Sequence, residues 1–300
     1  MKYLYYPGCS LKETGKAYDE SLRAVFQELG IPLTELPDWN CCGATSYMSI
    51  DEMKGHALAA RNLALAEEQM GDAPFIDLVT PCNACYLVLS KTQHSLEEFE
   101  EVSDRIGAAL KRAGLEYNGK VRIRHPIDVL VNDVGLEAIS KVVKRSFTGI
   151  KVACYYGCQM VRPYATFDDQ EDPTTMDRLM QALGAETVDW PLKTRCCGGT
   201  FTGTIQDVGL RLNYILLNEA RKRGADVVVT NCSLCQFNLE CYQNQINRKY
   251  GGHGVLPIAY FTQLVGLALA LPRKELGLQR LFIPFEPKLE ILEGGHHVHT

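Results

Sequence analysis

The sequence has little positive charge for its length and no long uninterrupted apolar run. Among its 300 residues, 31 lysines and arginines stand against 36 aspartates and glutamates, which gives a net charge of −5. An acidic balance of this kind argues against nucleic acid or an anionic membrane surface as the main partner. The longest apolar stretch, residues 255–271, is interrupted by Pro257 and Gln263 and is followed by Pro272. It is too short and too broken to cross a membrane, and we expect a buried core helix there.

The chain also lacks the usual leader and cofactor motifs. The opening MKYLYYPGC has one lysine and few apolar residues before Pro7, which is not the pattern of a secretory signal peptide, so we expect a cytoplasmic protein. No GxGxxG motif follows a predicted strand, and there is no phosphate-binding P-loop. A compact CxxCxxCxxxCP run of the ferredoxin type is absent as well. If the protein does redox chemistry, its electrons should therefore arrive from partner subunits.

Cysteine is abundant instead, and ten of the twelve cysteines follow one pattern that occurs twice. Each copy has a single cysteine, then an adjacent pair, then a CxxC motif. The first copy consists of Cys9, Cys41, Cys42, Cys82 and Cys85, and the second of Cys158, Cys196, Cys197, Cys232 and Cys235. Clustered cysteines in a cytoplasmic protein usually bind metal or do redox work, because lasting disulfides are rare there. Two sets of five thiols therefore indicate two metal centres, one in each half.

The residues around the cysteines repeat as well. YLYYPGCS and VACYYGCQ both place two tyrosines and a glycine before the first cysteine, NCCGAT matches RCCGGT, and LVTPCNAC matches VVTNCSLC. Self-similarity of this kind indicates two copies of one structural unit. We place the seam near residues 147–151, which predicts a first domain over residues 1–147 and a second over residues 148–300.

Strands and helices alternate within each half, which predicts an α/β fold of two pseudo-symmetric repeats with mainly parallel sheets. The predicted strands are residues 2–6, 75–79, 151–155 and 226–230. The predicted helices are residues 17–29, 53–69, 174–183 and 209–223. Ligands of parallel sheets lie beyond the carboxyl ends of the strands, so we expect both centres at those ends, between the two halves.

The spacing of the cysteines suits metal binding in two ways. A CxxC motif at the start of a helix lies close to free backbone N–H groups and to the positive end of the helix dipole, which favours the metal-binding thiolate. Neighbouring residues of a regular strand point to opposite faces, so an adjacent pair can bind one centre only where the chain bends. Gly43, Gly198 and Gly199 follow the two pairs directly, and glycine permits such a bend.

Five thiolates exceed what the common sites need. A structural zinc and an ordinary [4Fe–4S] cluster each take four protein ligands, so a fifth cysteine bridges two irons, belongs to an unusual cluster or stays free. We favour iron–sulfur chemistry at one or both sites, with zinc as the alternative. A thioredoxin-type redox pair at the CxxC motifs would leave the remaining cysteines unexplained.

These motifs resemble the cysteine-rich CCG domain family, and most closely the B-type subunit of heterodisulfide reductase. YYPGCS, NCCGAT and TPCNAC carry the resemblance in the first half, and YYGCQMVRP, CCGG and TNCSLCQFNL carry it in the second. The 39 residues between Cys42 and Cys82 exceed the spacing usual in the family, which we attribute to a loop insertion near residues 49–54 or 71–74.

The resemblance implies that each set of five cysteines holds a noncubane [4Fe–4S] cluster and that a disulfide substrate is held between the two clusters. All ten cysteines of the two sets would then be ligands. It implies the catalytic subunit of a heterodisulfide reductase-like complex, which reduces or forms a small anionic disulfide in two one-electron steps. It also implies a ferredoxin-like iron–sulfur partner and, further from this chain, a flavin-bearing partner.

Two other functions stay open at this level. Subunits with CCG domains also serve as non-catalytic electron relays in lactate-, glycolate-, succinate- or glycerol-phosphate-oxidising complexes, where another subunit carries the substrate chemistry. A zinc-stabilised interaction scaffold is the third possibility. The presence of all five cysteines in both halves favours two equivalent clusters over one cluster beside a degraded half.

Several further residues are weaker candidates. Arg162, Lys193 and Arg195 lie near the cysteines of the second half and can bind an anionic substrate, although paired or solvated surface charges are the simpler interpretation. Cys154 and Cys241 fall outside the repeated pattern, and we interpret them as small buried side chains. The tail GGHHVHT has a metal-binding composition, but a mobile end is the default expectation for such a segment.

Overall fold

The structure is a computed structural model that describes residues 3–44, 47–251, 254–287 and 289–291. The histidine-rich tail lies outside the described residues. The described residues form two compact units, one within residues 1–13 and 26–126 and the other within residues 14–25 and 127–300. These units group the chain by packing rather than by sequence repeat, so the seam near residue 147 stays a prediction about the duplication.

The first unit is built on a four-stranded parallel sheet with the spatial order β2-β1-β3-β4. Its strands are β1 (Tyr3–Tyr5), β2 (Leu33–Glu35), β3 (Ile76–Val79) and β4 (Val121–Arg124). All four residues of β3 are buried, as expected of an interior strand in a parallel sheet that is covered on both faces. Asp77 of β3 is paired across the sheet with Arg122 of β4, whose Nε donates to Asp77 Oδ1 at 2.8 Å.

Within the described residues, six helices lie between β1 and β4 in the sequence. They are α1 (Gly8–Lys12), α2 (Lys16–Glu28), α3 (Tyr47–Ile50), α4 (Glu52–Glu68), α5 (Asn83–Glu98) and α6 (Glu100–Arg112). Helix α4 begins at an N-cap, where the side chain of Asp51 accepts the backbone N–H of Lys54 at 3.2 Å. Such a cap satisfies one of the free N–H groups of the first turn.

The second unit repeats the same sheet. Its four parallel strands have the spatial order β7-β6-β8-β9, and two further strands, β5 and β10, form a small antiparallel ribbon. The bounds are β5 (Arg145–Ser146), β6 (Lys151–Tyr155), β7 (Glu186–Thr187), β8 (Val227–Thr230), β9 (Ile258–Tyr260) and β10 (Glu290–Ile291). The matching strand orders confirm the predicted α/β fold with two repeats and mainly parallel sheets.

The helices between β6 and β9 largely repeat that succession, and further helices lie before β6 and after β9. They are α7 (Pro126–Asp128), α8 (Leu136–Lys141), α9 (Thr175–Ala182), α10 (Phe201–Thr204), α11 (Gln206–Lys222), α12 (Ser233–Cys241), α13 (Gln243–Tyr250) and α14 (Phe261–Ala268). A π-helical segment, Val129–Gly135, joins α7 to α8, and a short 3₁₀ turn, Leu278–Arg280, follows α14.

Most of α2 belongs to the second unit, although its sequence is part of the first repeat. The hydroxyls of Ser21 and Thr262 share a hydrogen bond of 2.6 Å. The ring of Tyr18 stacks on that of Tyr260 with centroids 4.5 Å apart. These buried contacts fix the helix against β9 and the start of α14.

The predicted strands and helices agree with the observed elements to within a few residues, with one exception. Residues 255–271 do not form a single buried helix, because β9 and α14 divide the stretch. Gln263 accepts the backbone N–H of Tyr260 at 2.9 Å and so marks the start of α14. A buried strand followed by a buried helix is a continuous apolar run in sequence, and hydrophobic periodicity does not separate the two.

The extra residues between Cys42 and Cys82 lie mainly between α4 and β3. That connection covers residues 69–75, whereas the equivalent connection between α11 and β8 covers only residues 223–226. The alternative near residues 71–74 is therefore the better of the two predicted positions. Among the described residues, no helix is long and apolar enough to span a bilayer.

Candidate metal centres

The two repeated sets of cysteines each gather at the carboxyl ends of parallel strands. Set 1 (Cys9, Cys41, Cys42, Cys82 and Cys85) lies in the first unit, after β1, β2 and β3 in turn. Set 2 (Cys158, Cys196, Cys197, Cys232 and Cys235) lies in the second unit, after β6, β7 and β8. Parallel strands end on one side of their sheet, and this is why residues far apart in the sequence meet.

Within each set the sulfur atoms are close but not bonded. In set 1, Cys42 Sγ lies 3.2 Å from Cys85 Sγ, and Cys9 Sγ lies 3.9 Å from Cys41 Sγ. In set 2, Cys197 Sγ lies 3.5 Å from Cys235 Sγ. A disulfide bond is about 2.0 Å long, and all twelve cysteines are free. The same cysteine of each adjacent pair thus contacts the second cysteine of its CxxC motif in both units.

Each set has a buried side and an exposed edge. The second cysteine of the pair and both CxxC cysteines are buried in both sets, namely Cys42, Cys82, Cys85, Cys197, Cys232 and Cys235. Cys9, Cys41 and Cys196 are exposed, and Cys158 is half-buried. A group bound by either set would be held from within the unit and would present one edge to solvent.

The adjacent pairs lie in bent loops, as the glycines after them predict. Gly43 has a φ of +82° and Gly198 a φ of +98°, a conformation that side-chain-bearing residues rarely adopt. The bend turns the backbone N–H of Gly43 toward Cys41 Sγ at 3.5 Å and that of Gly198 toward Cys196 Sγ at 3.3 Å. The predicted bend is confirmed, and it supplies a hydrogen bond to a sulfur in each set.

The CxxC motifs lie where a strand passes into a helix, and this prediction is also confirmed. Cys82 and Cys232 are the N-cap residues of α5 and α12, and Cys85 and Cys235 lie in the first turns. Free backbone N–H groups and the helix dipole favour negative charge at this position.

Hydrogen bonds between thiols lower the pKa of selected cysteines. Those from Cys41 and Cys85 lower the pKa of Cys42 to about 4. In set 2, the hydrogen bond with Cys158 lowers the pKa of Cys196 to about 6, and that with Cys235 lowers the pKa of Cys197 to about 7. The same hydrogen bonds raise the pKa of the partners Cys85, Cys158 and Cys235. Some cysteines of each set are therefore thiolates, the form that binds metal, near neutral pH.

A tyrosine holds the paired-cysteine loop in each unit. Tyr6 Oη donates to the backbone oxygen of Asn40 at 2.7 Å, and Tyr155 Oη donates to that of Arg195 at 2.6 Å. Burial, reinforced by the nearby thiols, raises the pKa of Tyr6 far above its usual value. The pKa of Tyr155 is raised in the same way. Both phenols thus stay protonated and able to donate.

The thiol sets fit a sulfur-liganded metal group. Within residues 3–44, 47–251, 254–287 and 289–291, no three cysteine, histidine, aspartate or glutamate side chains form a site for a single metal ion. A cluster spreads its ligands over several metal atoms, and it needs sulfurs a few ångströms apart. Gly8 adds a close approach, because a Cβ there would lie 2.8 Å from Cys85 Sγ. An all-thiolate donor set suits iron–sulfur clusters or zinc among the common metal groups.

The three cationic candidates have different surroundings. Lys193 is buried, and its ammonium lies 3.3 Å from carboxylate oxygens of both Asp172 and Asp177. Arg162 donates to the backbone oxygen of Thr194. Arg195 is exposed beside Cys196. Two of the three candidates are therefore engaged within the protein, and their role in binding substrate stays a prediction.

The two cysteines outside the pattern differ. Cys154 is fully buried in β6, as predicted. Cys241 is exposed at the end of α12, so the prediction of a buried side chain was wrong there. The last turn of α12 leaves this position on the solvent side.

Sequence reasoning missed the roles of Tyr6 and Tyr155. The signal was present, because a tyrosine occurs three residues before the single cysteine in both copies. A third missed residue is Asn238, a buried side chain whose Nδ2 lies 3.5 Å from Cys197 Sγ. Its counterpart in the first repeat is the apolar residue Val88. Comparison of the two repeats therefore gave no sign that Asn238 contacts a cysteine sulfur.

The protein has two α/β units, each with a parallel sheet and five thiols at the carboxyl ends of its strands. It is therefore a cysteine-rich protein with two candidate metal centres. The chain belongs to the cysteine-rich CCG domain family, whose model matches residues 3–90 and 152–240. One copy of the domain thus covers the cysteines of set 1, and the other covers those of set 2.

Three relatives extend this result over nearly the whole chain. The 8-methylmenaquinol:fumarate reductase membrane anchor subunit of Wolinella succinogenes is 32% identical over 92% of this chain and 95% of its own length. A protein of Archaeoglobus profundus named for its likeness to the B-type subunit of heterodisulfide reductase is 32% identical over 93% of this chain and 94% of its own. The B-type subunit of the ferredoxin:CoB-CoM heterodisulfide reductase of Methanosarcina mazei is 30% identical over 91% of each chain.

A solved structure supports the fold. A hypothetical protein from Helicobacter pylori superposes with a TM-score of 0.76 at 15% identity, over 95% of this chain. This chain spans about half of that one, 52% of its length. The family and the relatives together indicate an iron–sulfur electron-transfer subunit of an oxidoreductase.

Proposed function

We propose that the protein is the subunit of a heterodisulfide reductase-like complex that reduces, or in reverse forms, a disulfide. One noncubane [4Fe–4S] cluster would be held by the five cysteines of set 1 and one by those of set 2. The observation that carries the proposal is the shared geometry of the sets. Each has three buried cysteines that can anchor a cluster, and each has an exposed edge that a small disulfide can reach.

Retention of all five cysteines in both repeats supports two sites of the same kind. Relatives named for heterodisulfide reductase match across more than nine-tenths of the chain. A disulfide takes up two electrons when its S–S bond breaks and gives two thiolates, which then take up two protons. Bound clusters would supply these electrons singly, so two sites match the two electrons of one disulfide.

The residues of the chain contribute to this chemistry by binding the clusters and by fixing the positions of the loops that carry the ligands. The thiolates hold the clusters, and the backbone N–H groups of Gly43 and Gly198 stabilise the negative charge of the sulfurs they contact. Tyr6 and Tyr155 fix the loops that carry the paired cysteines. Burial of the other cysteines excludes water from the inner side of each set.

Electrons would come from other subunits. The chain lacks sequence signatures for nicotinamide, flavin or a ferredoxin-type cluster. We therefore propose a ferredoxin-like iron–sulfur protein as the direct partner, with a flavin-bearing protein as the next carrier, in a cytoplasmic complex. Among the cationic candidates, Arg195 is the one whose exposed guanidinium is available to an anionic substrate.

A second function is favoured by one specific finding. The fumarate reductase relative matches at least as well as the heterodisulfide reductase relatives, and its name assigns it to a complex that acts on a quinol and fumarate. A protein of that type would pass electrons between subunits and would leave substrate chemistry to another chain. Metal centres bound by the two thiol sets would serve this relay role as well as they would serve catalysis.

The first experiment is metal analysis of the anaerobically purified protein. Two noncubane clusters predict about eight irons and matching sulfide per chain. Cys232→Ser should remove the cluster of set 2 and halve the iron. Cys241→Ser is the matched control, because that cysteine is exposed and outside both sets. Zinc in place of iron would contradict the proposal.

The second experiment separates catalysis from relay. The iron-loaded protein is reduced with a viologen dye and offered a panel of disulfides that includes the CoB–CoM heterodisulfide named for the Methanosarcina relative. Dye oxidation that depends on a disulfide and is lost in Cys232→Ser supports catalysis. Full iron content without activity on any disulfide, together with electron transfer to a partner protein, supports the relay instead.

A further inference from the structure

The two thiol sets differ at one buried side chain, Asn238. We propose that this asparagine raises the reduction potential of the metal centre on set 2, through a hydrogen bond for which the equivalent residue beside set 1, Val88, has no donor, so that the two centres are electronically unequal. The inference rests on the proposed function to the extent that it takes both sets to hold iron–sulfur clusters.

Asn238 is a fully buried residue of α12 that lies against the sulfur of Cys197. Its Nδ2 lies 3.5 Å from Cys197 Sγ and 2.8 Å from the backbone oxygen of Gly199. Its Oδ1 accepts a hydrogen bond of 2.8 Å from the hydroxyl of Thr202. Both the amide nitrogen and the amide oxygen therefore have hydrogen-bond partners within the unit.

These partners determine which way the amide points. A backbone carbonyl oxygen can only accept, so the atom 2.8 Å from the Gly199 oxygen must be the NH₂ nitrogen rather than the amide oxygen. The second hydrogen of the same nitrogen is then available to Cys197 Sγ. The sulfur receives an N–H donor, and the opposite orientation would leave two acceptors facing each other.

The equivalent position of the first repeat carries no donor. Asn238 is the third residue after Cys235, and the third residue after Cys85 is Val88. Thr202 packs against Gly209 at the start of α11, and the residue that packs against Gly55 in α4 is Met48. A threonine–asparagine pair in one repeat thus corresponds to methionine and valine in the other.

Two kinds of backbone contact to sulfur are shared by both sets. A glycine N–H approaches the first cysteine of each pair, at 3.5 Å from Gly43 and 3.3 Å from Gly198. The backbone N–H groups of Ala44 and Gly199 likewise act on Cys42 and Cys197. The side-chain amide is therefore an addition to a common framework, and the two centres can be compared directly.

A hydrogen bond to a cluster ligand stabilises the more negative, reduced state. Hydrogen bonds to sulfur are among the factors that set iron–sulfur potentials, and a donor in a buried, weakly polarisable setting acts more strongly than one in water. Val88 shows that the fold accommodates an apolar side chain at this position in the other repeat. The amide also holds the Gly199 carbonyl and the Thr202 hydroxyl, and the N–H that it directs at Cys197 Sγ is the contact that acts on the metal centre of set 2.

The test uses the iron-loaded full-length protein in a redox titration followed by EPR. Asn238→Val gives set 2 the side chain found in set 1, and Val88→Asn is the reciprocal change. We expect Asn238→Val to lower the potential of one centre and leave the other unchanged. A tenfold change in the one-electron equilibrium constant corresponds to about 59 mV. Val88→Asn should raise the potential of the other centre. Unchanged potentials in Asn238→Val at full iron content would overturn the inference.

Val88→Asn decides the matter if Asn238→Val loses its iron. That change places in set 1 the amide that the equivalent position of set 2 supplies, so it should raise the potential of the set 1 centre at full iron content. An unchanged potential would again overturn the inference. Absence of iron from the unmodified protein would instead contradict the proposed function, whereas normal iron content with no response to these variants contradicts this inference alone.

Discussion

The hydroxyl of Tyr155 donates a hydrogen bond of 2.6 Å to the backbone oxygen of Arg195, the residue directly before the adjacent cysteines of set 2. Tyr6 makes the same bond to Asn40 at 2.7 Å before the adjacent cysteines of set 1. In both units a residue at the end of a central strand thereby holds the loop that carries two of the five thiols. The loop and the strand end are thus fixed relative to each other.

Tyr155→Phe should loosen this loop without changing the shape of the core. Loss of the hydrogen bond should lower the free energy of unfolding by about 1 kcal/mol. Iron should also leave the set 2 centre faster in the presence of a chelator. Chemical denaturation and the rate of iron release measure the two effects. Tyr242→Phe is the control, because no hydrogen bond of the Tyr242 hydroxyl occurs within the described ranges, where its ring contacts Phe237. Equal rates of iron release in both variants would contradict the positioning role.

Gly8→Ala should damage set 1 selectively. Gly8 has a φ of +67°, and a Cβ there would lie 2.8 Å from Cys85 Sγ. Gly30→Ala is a matched control, because its φ is +72° and a Cβ there meets no atom within 4 Å. Both variants carry the backbone strain of about 1 kcal/mol for alanine in this region. Only Gly8→Ala should lose about half of the iron, and retention of all the iron in both variants would contradict the close packing of Gly8 under the cysteine.

Lys193→Met should destabilise the second unit in a pH-dependent way. Burial raises the pKa of Asp177, and the ammonium of Lys193, 3.3 Å away, opposes that rise. Removal of one partner of a buried ion pair costs about 3 kcal/mol at neutral pH. A carboxyl whose pKa is raised on folding binds its proton more tightly in the folded state, so acidification through that pKa favours folding. The loss should therefore shrink as the pH falls.

Urea unfolding at a series of pH values measures this loss. Lys249→Met is the control, since Lys249 and Asp207 form an exposed ion pair, and such pairs contribute little to stability. A loss in Lys193→Met that stayed constant from neutral to acidic pH would show that Asp177 does not change its protonation as expected.

Cys154→Ala should reduce stability but leave the metal centres unchanged. Cys154 is fully buried in β6 and lies outside both sets. The smaller side chain leaves a cavity, which should cost roughly 1 kcal/mol. Cys241→Ala, at an exposed position, should cost less than about 0.5 kcal/mol. Thermal unfolding measures the difference, and iron content should equal that of the unmodified protein. Loss of iron in Cys154→Ala would contradict its purely structural role.

The sequence predicts the fold well because the signals are local and occur twice. The β-branched run before Cys232 predicts β8, and the glycine after Cys42 predicts the bend of that loop. The arrangement of the ten cysteines follows from their shared place after parallel strands. Because each signal occurs in both repeats, a prediction from one copy can be checked against the other.

Other features depend on contacts that no local pattern reports. The division of residues 255–271 into β9 and α14 depends on pairing with β8, and a buried strand and a buried helix are both continuous apolar runs. The exposure of Cys241 depends on which side of α12 faces the core. Asn238 lies three residues after a predicted ligand, but its approach to the Cys197 sulfur requires the loop that carries Gly199 to fold back over the helix.

Helix α2 limits how the chain can be divided. A fragment ending at residue 147 would contain every motif of one complete CCG domain. It would nevertheless leave Tyr18 and Ser21 without Tyr260 and Thr262, the residues they pack against, which are encoded more than two hundred positions later. Such a truncated product should aggregate, or else pair with another molecule that supplies the missing surface. A stable fragment that carries the second repeat would therefore need residues 14–25 as well.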